Sequence, residues 1–323
     1  MTFDAFGLTL NVVTIGIISL WIAMVFLSSV GLFCLNYFNA FSAVNRSRLL
    51  WVSVVLPWVT AVASVLLLLA PELFELQIGS LSSLIHWHHA YVFHIFSWHG
   101  ALLLVFSAIF FVVSITKLSR AIRNSLQLSQ LDYFSVSEEL EDGTLLVGSD
   151  TPQAFTAGLL SPRSYITQGL RNSLTVESLA VIQRHELAHK LRKDPLRKFL
   201  FSLFASFFPK ASGTRLNEAF SLALEQIADQ STISSVHDRT IVSKTILQVA
   251  RLNNKDQNNT NIPLANCGFT SNALQSRVRY LLDDEPVKPF PITILMVSAL
   301  TMISLCTLSV DFIHHSVETL FSH

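Results

Sequence analysis

Hydrophobic positions are concentrated in four long apolar stretches. They run from about Leu8 to Tyr37, Leu49 to Ala70, Ala101 to Ile115 and Pro291 to Val310, with His99 and Lys117 flanking the third. None of the four contains Asp, Glu, Lys, Arg or His. About 20 apolar residues in a helix cross the hydrocarbon of a bilayer, so the pattern predicts four membrane spans. The first stretch has no basic flank and no small-residue cleavage site, and it reads as a retained anchor. Between the third and fourth stretches the pattern changes. A basic amphipathic run, Lys117 to Gln130, leads into acidic sequence at Glu138, Glu139, Glu141 and Asp142. Three short strand-like runs follow, Thr144–Val147, Gln153–Leu160 and Arg163–Thr167, broken by Gly148, Asp150, Pro152 and Pro162. Helical periodicity takes over after Thr175. Strands first and helices second predict an integral membrane protein of the α+β class. The expected organisation is a three-helix membrane region at 1–116 with a His-rich loop at 71–99, one domain at 117–290, and a fourth span with a short tail at 291–323.

Composition and charge sharpen this picture. The chain of 323 residues is 51% hydrophobic and only 14% charged, with a mean hydropathy of +0.49. Soluble domains carry about 25% charged residues, so an ordinary soluble protein is excluded. All 22 basic residues lie either at Arg46 and Arg48, between the first two spans, or from Lys117 to Lys288. Basic residues stay on the cytoplasmic side. The expected topology is a multi-pass protein of the bacterial inner (cytoplasmic) membrane, with both termini outside and residues 117–290 inside. A formal net charge of zero argues against direct nucleic-acid binding. Cys34, Cys267 and Cys306 are too scattered to form a disulfide framework or a cysteine zinc site.

The chemistry is carried by His185-Glu186-Leu187-Ala188-His189. Thr175 is placed to cap a helix, Glu177 sits in its first turn, and Pro195 stops it. On that helix His185 and His189 are i and i+4, so both imidazoles leave one face and can share a tetrahedral Zn²⁺. Glu186 lies beside that face, where it can take a proton from an attacking water as general base. Alone the pattern is weak, since a surface helix can carry two histidines at this spacing. A third ligand is the test. Glu225 lies in the helical run from Leu216 to Asp229, with Asp229 one turn further on the same face. One carboxylate to bind metal and another to orient a histidine is the arrangement such a site needs, although two solvated acids on an amphipathic helix give the same spacing.

With these residues in view, the chain resembles the antirepressor-type membrane zinc metallopeptidases, the BlaR/MecR family of beta-lactam sensor-transducers (metallopeptidase family 56). The resemblance is carried by Ala154 to Pro162, Leu174 to Ile182, His185 to His189, Arg192 to Leu196, the pair Glu225 and Asp229, and Ser276 to Leu282. It implies a gluzincin-like domain between spans three and four. In that domain His185, His189 and Glu225 bind one catalytic Zn²⁺, Glu186 is the base, and Asp229 supports a ligand. It also implies a signalling endopeptidase that cleaves a cytoplasmic protein, a winged-helix transcriptional repressor, or itself, and it leaves room for a homodimer. The named sensors continue after span four into an extracellular penicillin-binding domain. Here Asp311 to His323 follow, so a stimulus other than a beta-lactam is expected.

The remaining readings are less specific. Arg184, Lys190, Arg192, Lys193 and Asp194 crowd the motif and keep it out of the hydrocarbon, unlike site-2-type proteases. The run Phe199–Phe208 is too short to span. It is expected to lie on the bilayer, pack against the spans or form a core helix. Gln153–Leu160 is the candidate edge for a substrate strand. His237, Arg277 and Tyr280 are candidates for an oxyanion donor or for structural roles. Outside the membrane, His86, His88, His89, His94, His99, His314, His315 and His323 form a set suited to Cu²⁺, Zn²⁺ or Ni²⁺ binding or to pH sensing. A housekeeping membrane protease and a non-catalytic sensor scaffold are the competing functions. A transporter is disfavoured, because the spans offer no ionisable relay.

Overall fold

Only a helix or a closed barrel can satisfy its own backbone inside lipid. In the computed structural model, which describes residues 5–73, 93, 96–134, 136–140, 143–257, 271–282 and 288–321, each of the four apolar stretches is helical. They are α1 (Ala5–Phe38), α2 (Ala43–Leu73), α3 (Trp98–Phe134) and α10 (Ile292–Phe321). All four are long and apolar enough to cross a membrane. They extend beyond the expected limits. The amphipathic run after Lys117 continues α3 without a break, so the expected boundary at 116 falls inside a helix. The segment expected to be a short tail continues α10 to Phe321.

Helix α1 packs on α2, and α10 packs on both. Small polar side chains assist at these contacts: Thr307 Oγ1 donates to Ser64 Oγ at 3.3 Å, tying α10 to α2 inside the bundle. Leu104, Val105, Phe111, Val112 and Ile115 of α3 stay exposed, forming an apolar surface suited to hydrocarbon.

A small sheet follows α3. Its strands are β1 (Val136–Glu139), β2 (Leu145–Val147), β3 (Ala154–Ala157) and β4 (Arg163–Thr167), in the order β1-β2-β4-β3. Pairing is antiparallel for β1–β2 and β3–β4 and parallel for β2–β4. Three strands fall within the expected runs. Strand β1 does not, because Glu138 and Glu139 are exposed edge positions with no apolar alternation to announce a strand. Helix α4 (Gln168–Ser173) is capped by the Thr167 hydroxyl. Helix α5 (Val176–Leu191) lies across β3 and β4, and its N-cap Thr175 accepts from Ser178 N–H as expected.

Four further helices follow among the described residues: α6 (Asp194–Ala205), α7 (Lys210–Val236), α8 (Arg239–Gln257) and α9 (Ser271–Leu282). The described residues are mostly helical, with one small sheet. Helices α6 and α7 do not form a separate body. Phe201, Ala205, Phe208, Leu216, Phe220 and Leu224 share a core with Leu20 and Met24 of α1 and Leu50 and Val54 of α2. Of the expectations for Phe199–Phe208, packing against the spans is the one observed. Trp51 meets Phe201 edge-on at 5.4 Å, and Trp58 meets Phe207 at the same distance. Gly213 permits the tight α6–α7 approach, since a Cβ there would lie 2.5 Å from the Ala205 carbonyl oxygen.

Candidate metal centre

Three helices bring the site together. Helix α5 presents His185 and His189 from one face, with their ring centroids 4.8 Å apart. Helix α7 presents Glu225. A sharp turn between α5 and α6, with Lys193 in the left-handed region at φ 51°, folds Asp194 back under His189. The donor atoms of His185, His189 and Glu225 all lie within 4.8 Å of one another. The two Nε2 atoms are 3.1 Å apart, and Glu225 Oε2 is 3.4 Å from that of His185 and 3.6 Å from that of His189.

Each histidine is held from behind by a carboxylate. His185 Nδ1 meets Asp229 Oδ1 at 3.0 Å, and His189 Nδ1 meets Asp194 Oδ2 at 2.8 Å. A carboxylate accepts, so each Nδ1 carries the proton, and each Nε2 directs a lone pair inward when the ring is neutral. Two such lone pairs and a carboxylate oxygen converging at about 3.5 Å repel one another unless a cation lies among them. Zinc ligands at about 2.0–2.1 Å in tetrahedral geometry stand about 3.3 Å apart, close to the observed triangle. The three residues could therefore hold a metal ion.

Arg277 on α9 closes the site from outside. Its Nε donates to Asp229 Oδ2 at 2.8 Å and its Nη2 to Asp229 Oδ1 at 2.7 Å, while Nη1 lies 3.5 Å from Glu225 Oε2. Lys198 Nζ reaches Glu225 Oε1 at 3.1 Å. Burial alone would raise the carboxyl pKa values. The cations outweigh it: Lys198 and His189 hold Glu225 well below its usual range, and Arg277 lowers Asp229. Burial would likewise lower both histidines. Asp229 and Glu225 instead raise His185, and Glu225 with Asp194 raises His189 to about 10.

Glu186 is buried beside the cluster. Thr156, at the middle of β3, donates through Oγ1 to Glu186 Oε2 at 2.7 Å, with the Glu186 carbonyl oxygen 3.0 Å away. Strand β3 is a sheet edge, so the candidate base sits against an edge with one side unpaired in the sheet order.

The structure thus groups His185, Glu186, His189, Glu225 and Asp229. Arg277 belongs to this group, but its guanidinium is committed to the two carboxylates and is no free oxyanion donor. Tyr280 and His237 do not belong to it. The Tyr280 hydroxyl accepts from Ala43 N–H at the start of α2, at 3.0 Å. His237 terminates α7 at φ 61°, its N–H bonded to Ile233 carbonyl at 2.7 Å. Three residues that contact the cluster were not singled out as site residues by sequence reasoning. Asp194 was signalled only as an acid beside Pro195 at the start of α6, Thr156 by nothing in its spacing, and Lys198 by nothing beyond its charge.

Of the histidines expected outside the membrane, His86, His88, His89, His94 and His323 lie outside the described residues. His99 lies against Trp98, with ring centroids 3.8 Å apart and planes tilted by 31°, and His314 and His315 fall on the last turns of α10. Compared with known proteins, the chain matches no protein-family model, no curated protein and no solved structure.

Proposed function

We propose that this protein is a membrane-anchored zinc endopeptidase. The observation that carries the reading is the triangle of His185, His189 and Glu225 donor atoms, with Glu186 held beside it by Thr156. A bound Zn²⁺ would supply Lewis acidity towards a peptide carbonyl and a water. Glu186 takes the proton of the attacking water and returns it to the leaving amine. Asp229 and Asp194 fix the two rings. Arg277 and Lys198 keep Glu225 ionised, hence able to bind metal. The edge of β3 pairs with an extended substrate backbone.

The resemblance to the BlaR/MecR antirepressor peptidases supports a signalling role, with a cytoplasmic repressor or the chain itself as target. Basic residues restricted to Arg46, Arg48 and the segment from Lys117 to Lys288 support a centre on the cytoplasmic side of a bacterial inner membrane. The test is cleavage of a peptide library by the purified, detergent-solubilised chain. Activity is expected to vanish with a chelator and return with stoichiometric zinc. Cleavage that survives complete metal removal would contradict the proposal.

A further inference from the structure

The α6–α7 hairpin lies deep relative to the spans that flank it. Arg48 on α2 and Lys117 on α3 mark the same membrane boundary by their charge. Lys117 Nζ donates to Ser202 Oγ at 2.6 Å, which sets the level of the last turn of α6. Beyond that level Phe207 stacks on Phe110 with centroids 5.7 Å apart, and Phe110 lies two turns deeper than Lys117, about 10 Å. Phe207 also meets Trp58 at 5.4 Å, and Trp58 lies nearly three turns beyond Arg48, about 15 Å. The hydrocarbon is about 30 Å thick. The turn between α6 and α7 therefore reaches roughly the middle of the bilayer.

The face of α7 that leaves this turn is polar. Lys210, Thr214, Asn217, Ser221 and Glu225 recur at i, i+4, i+7, i+11 and i+15, which is one side of a helix. Lys210 and Thr214 are exposed, and Asn217, Ser221 and Glu225 are partly so. The apolar side of the same helix, Leu216, Phe220, Ala223 and Leu224, is the one packed on the spans. A lysine and a polar stripe at mid-bilayer depth are very costly against lipid, and such residues line water.

We propose that the hairpin is a re-entrant membrane element whose polar α7 face is a hydrated groove, running from mid-bilayer to the metal ligand Glu225. Its occupant is a segment of a membrane-anchored polypeptide, which of the two targets named above selects the chain itself over a soluble repressor. A soluble substrate needs only the β3 edge beside Glu186. A groove that opens inside the bilayer serves a chain that starts there. This substrate class rests on the peptidase reading; the groove itself does not.

The full chain is placed in proteoliposomes, with Cys34, Cys267 and Cys306 replaced by Ser. Single cysteines at Lys210, Thr214 and Ser221 are labelled with a charged, membrane-impermeant thiol reagent, against a lipid-facing control, Val112→Cys. The three groove positions are expected to label at least tenfold faster than the control. Equal, slow labelling at Lys210→Cys and Thr214→Cys would overturn the groove. In the same vesicles one peptide is offered free and fused to a transmembrane helix. The fused form is expected to show at least tenfold higher kcat/KM. Lys210→Leu with Thr214→Leu should erase that advantage without changing cleavage of the free form. A free peptide cut as fast as the fused one, as a soluble repressor would be, overturns the substrate class. Cleavage of neither peptide, with the groove labelled, overturns the substrate class together with the peptidase reading beneath it.

Discussion

Thr156 Oγ1 stands 2.7 Å from Glu186 Oε2, so a strand residue holds the candidate base on the neighbouring helix. A hydrogen bond to a charged group contributes about 1.5–3 kcal/mol, which corresponds to about 10- to 100-fold in rate when it fixes a reacting carboxylate. Thr156→Val is therefore expected to lower kcat by about that factor. Zinc content and KM should stay near wild type, and Thr156→Ser should recover most of the loss. A loss confined to KM, or no rescue by serine, would show that Thr156 acts on substrate or on folding instead.

Asp194 fixes the tautomer of His189 across 2.8 Å. Asp194→Asn keeps the volume but loses the strong acceptor. Disrupting such a partner weakens metal binding about 10- to 100-fold, and titration against a fluorescent zinc chelator should read that range. Unchanged affinity would mean that the turn at Lys193, rather than the carboxylate, orients the ring.

Arg277 is buried, and its guanidinium engages Asp229, which is fully buried. Removing one partner of such a pair strands a charge in the interior and costs about 3–5 kcal/mol. Arg277→Met should lower the unfolding midpoint sharply in detergent. Adding Asp229→Leu should restore much of the stability, yet not the zinc affinity, because His185 then lacks its support.

Metal removal should make stability depend on pH in a defined direction. The folded pKa of His189 is raised to about 10 from 6.5. The stabilisation it contributes is complete below about 6.5 and is lost as pH rises through about 10. Tm of the metal-free protein should fall across this window. The fall should be smaller with zinc bound, which replaces the proton, and in His189→Gln. Zinc should bind more tightly as pH rises over the same interval. A metal-free Tm that climbs from pH 6.5 to 10 would contradict the geometry described.

What was legible in the sequence follows from periodicity. Uninterrupted apolar runs announce spans, and helical spacing places His185 with His189 and Glu225 with Asp229. The contacts between elements carry no such signature. Thr156 reaches Glu186 from a strand thirty positions earlier, and Asp194 reaches His189 only because Lys193 adopts a positive φ. Tyr280 and Arg277 lie one turn apart on α9 and looked alike as candidates. Tertiary packing sends one to the start of α2 and the other to Asp229. The insertion of α6 and α7 among the spans was equally hidden, since an apolar run of that length suits a bilayer surface, a soluble core or a helix bundle.

The central claim is that His185, His189 and Glu225 hold zinc for a reaction driven by Glu186. The most direct measurement pairs metal content with peptide cleavage in one preparation each of wild type and Glu186→Gln. Glu186 is not in the ligand triangle, so the variant is expected to retain one zinc per chain while cleavage drops by several orders of magnitude. A Glu186→Gln protein that binds zinc and cuts at the wild-type rate would contradict the account.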